Sequence, residues 1–173
     1  TGTISQAGIP LKGNTYCIFQ DSKHNIWIAT KGEGLVKARP QGGGHYKLTR
    51  YCHSRDDIYS LSDNNVYCVY EDVKGRIWVA TFGGGSNYLT HNRGGREIFV
   101  NHRNNLKGFP IDNCHKVRFV TGDHRGNIWI ATTVGALMVN SDFKKPEDAV
   151  FHHYVRVLNA VNCLSINGVH FIL

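Results

Sequence analysis

Three Asp residues stand at a fixed distance before the only three Trp of this sequence. Asp21, Asp72 and Asp123 each precede a Trp by six positions, at Trp27, Trp78 and Trp129. An Asp in a turn can act as a general acid or base, or as one oxygen ligand of calcium. The pattern argues against both uses. The Asp recurs at the same turn in every copy, and an active site rarely needs one copy per repeat. A calcium loop of the EF-hand kind needs carboxylates at alternating positions and a closing Glu, and neither is present. Turn closure around a core Trp is the better reading, and a sugar-stacking role for the Trp residues is set aside on the same pattern. No Gly-x-Ser-x-Gly, P-loop or dinucleotide fingerprint occurs, and Gly83-Gly84-Gly85 lacks the Lys-Ser/Thr of a phosphate loop. The sequence therefore predicts no catalytic residue and no cofactor.

Metal chemistry is equally poorly served. None of the ten His falls in a His-x-x-x-His pair, and the five Cys include no Cys-x-x-Cys. His152, His153 and His170 sit in apolar-rich stretches that read as strands. Cys17 and Cys68 occupy equivalent repeat positions and read as small buried residues. Cys52, Cys114 and Cys163 are irregularly placed, so free buried thiols are expected rather than a disulfide framework. The net charge of +7 is scattered, which points to solubility and away from nucleic acid. No stretch is apolar enough to span a membrane, and Thr1–Gln6 lacks the regions of a signal peptide.

The elements that must position these residues follow from the repeat. Asp21–Thr30, Asp72–Thr81 and Asp123–Thr132 are copies of one stretch, with the Trp residues 51 apart. A period near 50 marks a solenoid, propeller or array. Each copy begins with an aromatic and β-branched strand, such as Asn14–Gln20, and turns at the Asp. Gly75 and Gly126 sit in that turn, with His24 as their counterpart, because positive φ suits Gly and is tolerated by His. The following strand, Ile26–Thr30 in the first copy, is apolar on both faces and belongs between two layers. Third strands are read at Leu35–Ala38, Asn87–Leu89 and Ala136–Val139. Fourth strands are read at His45–Tyr51, Glu97–His102 and Val150–Val155.

Four short antiparallel strands per repeat are the content of one β-propeller blade. The fold expected is all-β, a partial propeller of three four-stranded antiparallel blades plus the first strand of a fourth. Blades are placed at about 14–63, 64–114 and 115–166, with a lead-in loop at 1–13. Asn167–Leu173 aligns with Asn64–Tyr70 and starts a further blade. Structural repeat positions are Asp21, Trp27, Thr30, Asp72, Gly75, Trp78, Thr81, Asp123, Gly126, Trp129 and Thr132. Propellers close with four to eight blades, so the chain reads as an excised segment or as a protomer that completes a ring. Its first and last blades would each present an uncovered apolar face, predicting self-association or contact with the remaining blades of a parent propeller.

The repeat resembles the two-component regulator propeller repeat. The residues that carry the likeness are Asn65, Val66, Asp72, Gly75, Ile77, Trp78, Val79, Ala80 and Thr81. The third copy repeats it at Val117, Asp123, Gly126, Ile128, Trp129, Ile130, Ala131, Thr132 and Gly135. The first does so at Asn14, Asp21, Ile26, Trp27, Ile28, Ala29, Thr30, Gly34 and Leu35. His24 in place of Gly, and Ser86 where Leu is expected, depart from it. The resemblance implies the periplasmic part of an inner-membrane hybrid two-component sensor, as in Bacteroides-type bacteria. It implies recognition of oligosaccharides and signalling to a histidine kinase absent from this chain. An enzyme propeller, a glycan lyase or hydrolase, is the alternative, as is a protein-interaction propeller without a small ligand. Loops after second and fourth strands should share one face, opposite the Asp turns. Ligand-binding candidates there are Lys31, Glu33, Asn64, Asn65, Phe82, Asn113, His115 and Lys116, whose aromatic, amide and charged groups suit a sugar.

Overall fold

The repeat folds three times into the same four-stranded sheet. In this computed structural model residues 13–158, 160 and 163–172 are described. Most of the expected lead-in loop, residues 1–12, and Leu173 lie outside them. The first sheet holds β1 (Thr15–Gln20), β2 (Ile26–Thr30), β3 (Leu35–Gly42) and β4 (His45–Tyr51). The second holds β5 (Val66–Glu71), β6 (Ile77–Thr81), β7 (Gly85–His91) and β8 (Glu97–Val100). The third holds β9 (Val117–Gly122), β10 (Asn127–Thr132), β11 (Gly135–Asn140) and β12 (Phe151–Tyr154). Each sheet is an antiparallel meander in chain order, as required of a propeller blade.

A hydrogen-bonded clamp explains why each Asp, Trp and Thr recurs. The Asp21 carboxylate accepts from the backbone N–H of Lys23 and Asn25, at 3.0 and 2.8 Å, and from the Trp27 indole at 2.8 Å. Asp72 accepts from Lys74 and Arg76 N–H at 2.9 Å each and from the Trp78 indole at 2.8 Å. Asp123 does the same for Arg125, Asn127 and Trp129. The fourth turn residue has positive φ in all copies: His24 at 61°, Gly75 at 75° and Gly126 at 78°. His24 therefore occupies the left-handed conformation that Gly fills elsewhere. At the other end of the second strand, the hydroxyls of Thr30, Thr81 and Thr132 donate to the carbonyls of Gly34, Gly85 and Gly135 at 2.7–2.8 Å. The second strand is thus tied at both ends.

The two core layers between blades each draw on both neighbouring sheets. Trp27, Ala29 and Leu35 pack on Val66, Val69, Ile77 and Val79 of the second sheet. Trp78, Ala80 and Tyr88 pack in turn on Val120, Ile128, Ile130 and Leu137 of the third. Trp27 and Trp78 therefore each face the next blade. Glu97 adds a polar tie across the first interface: it accepts from Lys37 Nζ at 2.5 Å and from the Tyr51 hydroxyl. Ser86, where Leu was expected, is buried and its hydroxyl has no hydrogen-bond partner, while its neighbour Asn87 anchors a buried polar network with Ser62 and Asn101.

Four expectations are corrected. The stretch Glu97–His102 ends as a strand at Val100, because Asn101 and Asn104 close a turn on each other's backbone. The stretch 167–172, with His170, forms no strand. A first strand takes its ladder from the second strand of its own blade, and among the described residues none stands beside this segment; its backbone bond to the third blade is Val169 N–H to Thr132 O, at 3.0 Å. Cys52 is exposed, and Cys17 and Cys163 are only partly buried, though all five thiols are free. The outward face of the first blade is not open: Ile28, Val36, Ala38 and Leu48 cluster there with Ile26 and Tyr46 packed against them. The third blade keeps an open face, where half-buried Trp129 meets only Tyr154 among the aromatic rings, at 5.5 Å.

Two outcomes follow. Asp72→Asn turns an amide donor toward the buried Trp78 N–H and should cost about 2–3 kcal/mol, read from denaturant melts. In Asp21, burial pushes the carboxyl up, but hydrogen bonds from Asn25 and Trp27 outweigh it and hold it below 3.8. In Asp123 the Trp129 and Asn127 bonds hold it well below. The stability these groups add is complete above the unfolded value of 3.8 and is lost as pH falls through the lower folded values. Thermal melts between pH 7 and pH 2 should show that acid loss, and Asp21→Asn should flatten it.

Candidate functional site

Every innermost strand carries a bulge at the same place. In the first sheet Thr15 pairs with Thr30 and Cys17 with Ala29, leaving Tyr16 without a partner in the ladder. In the second, Val66 pairs with Thr81 and Cys68 with Ala80, leaving Tyr67. In the third, Val117 pairs with Thr132 and Phe119 with Ala131, leaving Arg118. A bulge frees one residue from the ladder and re-aims its side chain. The three inner strands lie side by side, so the bulged side chains converge.

Their geometry is that of a built surface. The Tyr16 and Tyr67 rings stack with centroids 4.4 Å apart, and Tyr67 stacks on Phe82 at 4.9 Å. Arg118 and Lys116 lie 5.6 and 5.7 Å from the Phe82 ring centre, within cation–π range. Arg118 Nη1 is 3.0 Å from His170 Nδ1. The groove here encloses about 290 Å³ and is lined by Tyr16, Cys17, Tyr67, Cys68, Arg118 and His170, with Phe119 and Phe171. Burial and the Tyr16 hydroxyl raise the Tyr67 phenol, against the pull of Arg118, so it stays a neutral donor and acceptor. A surface of stacked rings, phenols and a guanidinium can bind a ligand with a flat apolar face and polar edges.

The residues picked from sequence fall around this groove unevenly. The loops after second strands and before first strands do meet on one face. Lys31 N–H donates to Asn14 O, Gly34 N–H to Asn64 O, and Phe82 N–H to Asn65 O. Phe82 forms an isolated bridge with Lys116, and the His115 carbonyl accepts from Gly83 and Gly85 N–H. Phe82 and Lys116 thus stand beside the groove, Phe82 stacked on Tyr67 and within cation–π range of Arg118, without lining it, and Asn65 and His115 bond the same turn through their carbonyls. Glu33 is engaged by Arg50 at 2.9 Å, and the Asn64 side chain accepts from His53 N–H at 2.7 Å. Lys31 and Asn113 are exposed, the latter in a single helical turn, α1 (Ile111–Cys114). Sequence reasoning missed Tyr16, Tyr67, Arg118 and His170. The spacing of 51 marks positions 16, 67 and 118 as equivalent in the repeat, but equivalence alone does not signal a bulge.

Cys17 and Cys68 sit beneath the groove on neighbouring inner strands. A hydrogen bond from Cys68 brings the Cys17 thiol down to about 6 against its burial, and the same bond together with burial pushes Cys68 up. Alkylation of Cys17, followed by peptide mapping, should show a rate midpoint below the ordinary 9.0. Cys68→Ala should move that midpoint toward the ordinary 9.0. Among the described residues no group of three or more His, Cys, Asp or Glu is arranged to hold a metal, and no helix is long and apolar enough to cross a membrane.

Comparison with known proteins agrees with this architecture. The two component regulator propeller family matches at residues 10–32 and 60–83. Among solved structures, the extracellular domain of a hybrid two component system from B. thetaiotaomicron superposes with a TM-score of 0.66 at 22% identity, covering 89% of this chain and 20% of that one. The extracellular domain of a second such system from the same organism gives 0.61 at 20% identity, covering 93% and 21%. The likeness to these two is one of fold, and this chain spans about a fifth of their length. No curated protein matches. Two of the three repeats thus match the two component regulator propeller family, and the three four-stranded sheets have the fold of the solved extracellular domains.

Proposed function

We propose that this chain is part of the periplasmic sensing region of a hybrid two-component sensor anchored in the inner membrane, and that its propeller recognises an oligosaccharide. The observation that carries the reading is the row of bulged residues, Tyr16, Tyr67 and Arg118, beside Phe82 on the loop face. Stacked rings match the apolar face of a sugar, while phenols, amides and cations supply partners for its hydroxyls. The family match, and the extracellular two-component domains that share the fold, support placing this surface in a sensor. Recognition alone transmits nothing. A sugar shifts a distant kinase only if it binds one arrangement of the receptor more tightly than another. The open face beside Trp129 is where a further blade, of the parent propeller or a second copy, would pack.

The reading is tested on the intact receptor with a panel of oligosaccharides, using ligand-dependent thermal shifts. A ligand should be found whose affinity falls about tenfold in Phe82→Ala, the loss expected for one stacking ring. Unchanged affinity in that variant removes this face from the binding site.

A further inference from the structure

We propose that the sugar held at this groove is acidic, with a carboxylate or sulfate received by Arg118 and Lys116. The inference rests on the saccharide reading above and adds its charge. Arg118 is partly buried, and its Nε is shielded from solvent with no hydrogen-bond partner. Its Nη1 meets only the ring nitrogens of His170, at 3.0 and 3.5 Å. No described carboxylate pairs with Arg118 or Lys116. On the first and second sheets, by contrast, Lys37 pairs with Glu97, Arg50 with Glu33, Arg96 with Asp57 and Arg76 with Asp72. On the loop face, Asp63 directs its carboxylate to the backbone and side chain of Asn65, at 2.7 and 3.0 Å.

A part-buried guanidinium left without an anion is costly unless a ligand supplies one. Arg is also the side chain best shaped to take a carboxylate or sulfate through two parallel bonds. The bulge explains its position. At the place where the first two blades offer Tyr16 and Tyr67, the third offers Arg118, so one repeat position supplies both the ring wall and the cation. A sugar ring lying along the Tyr16 edge, which is 43% exposed, would direct a ring substituent toward Arg118.

The test uses the full chain and four probes in calorimetry: digalacturonate, its uncharged methyl ester, galactobiose, and galactobiose 6-sulfate. Binding of digalacturonate but not the ester identifies a carboxylate. Binding of the sulfated sugar over galactobiose identifies a sulfate. In either case Arg118→Gln should weaken the acidic probe about 10- to 100-fold, Arg118→Lys should restore part of it, and added salt should weaken wild type. Matching near-UV circular dichroism checks that the variants remain folded, and Lys116→Gln, on an exposed side chain, gives a second readout. Equal affinity for acid and ester, with galactobiose binding as well as its sulfate, overturns the acidic inference and leaves the saccharide reading standing. Acidic binding that ignores both substitutions overturns it too. If no probe binds, this inference falls, and the Phe82→Ala experiment on the intact receptor decides the broader reading separately.

Discussion

A carboxylate that accepts from an indole N–H sets the geometry of every blade. Asp21, Asp72 and Asp123 each accept from two backbone amides of their own turn and from the Trp six residues on. The first bonds shape the turn, and the last fixes where the second strand begins. An indole N–H buried without an acceptor would cost more than its hydrogen bond returns. The Asp therefore makes it possible to place the largest side chain of the repeat in the interface between blades. With that interface fixed, the neighbouring sheet has a surface to pack on, and three weak sheets become one body.

The same requirement orders the remaining contacts. Because Trp27 and Trp78 each face the next blade, burial is complete only where a next blade exists. Trp27 and Trp78 are 1% and 0% exposed, whereas Trp129 is only partly covered. Nearest-neighbour stacking of this kind is the stability rule of repeat proteins. Glu97 adds specificity to the first interface by receiving Lys37 and Tyr51 from the adjacent sheet. It also satisfies charges that would otherwise face a narrow polar cleft.

Strength in the second strand leaves freedom in the first. The clamp at the Asp turn and the Thr–Gly carbonyl bond hold β2, β6 and β10 at both ends. The inner strands β1, β5 and β9 can then carry a bulge without losing register below it, since pairing resumes from Cys17, Cys68 and Phe119 onward. The bulged residue is released from the alternation that governs the strand. Its identity is free to vary between Tyr and Arg while its position is not. A scaffold that repeats its geometry but not its side chains can build an asymmetric groove from equivalent positions.

Periodicity was enough to establish the blade. The 51-residue spacing of Trp, the Asp turn, the left-handed His24 and the two-faced second strands are local or strictly periodic, and local chemistry is legible in one dimension. Antiparallel connection puts Phe82 and Lys116 at the same end of their sheets, but their bridge joins two blades and depends on stacking. The groove was not legible there. Strand alternation assigns Tyr16 and Tyr67 to a face, but a bulge overrides alternation, and nothing in the six residues of β1 announces one. The pairing of Arg118 with His170, 52 positions apart, and the lack of a carboxylate partner for it among the described residues, exist only once blades stand next to each other. The sequence by itself determined which residues make a turn and which make a core. Tertiary structure decided which of the remaining side chains meet, because that depends on the stacking of sheets and on no single strand.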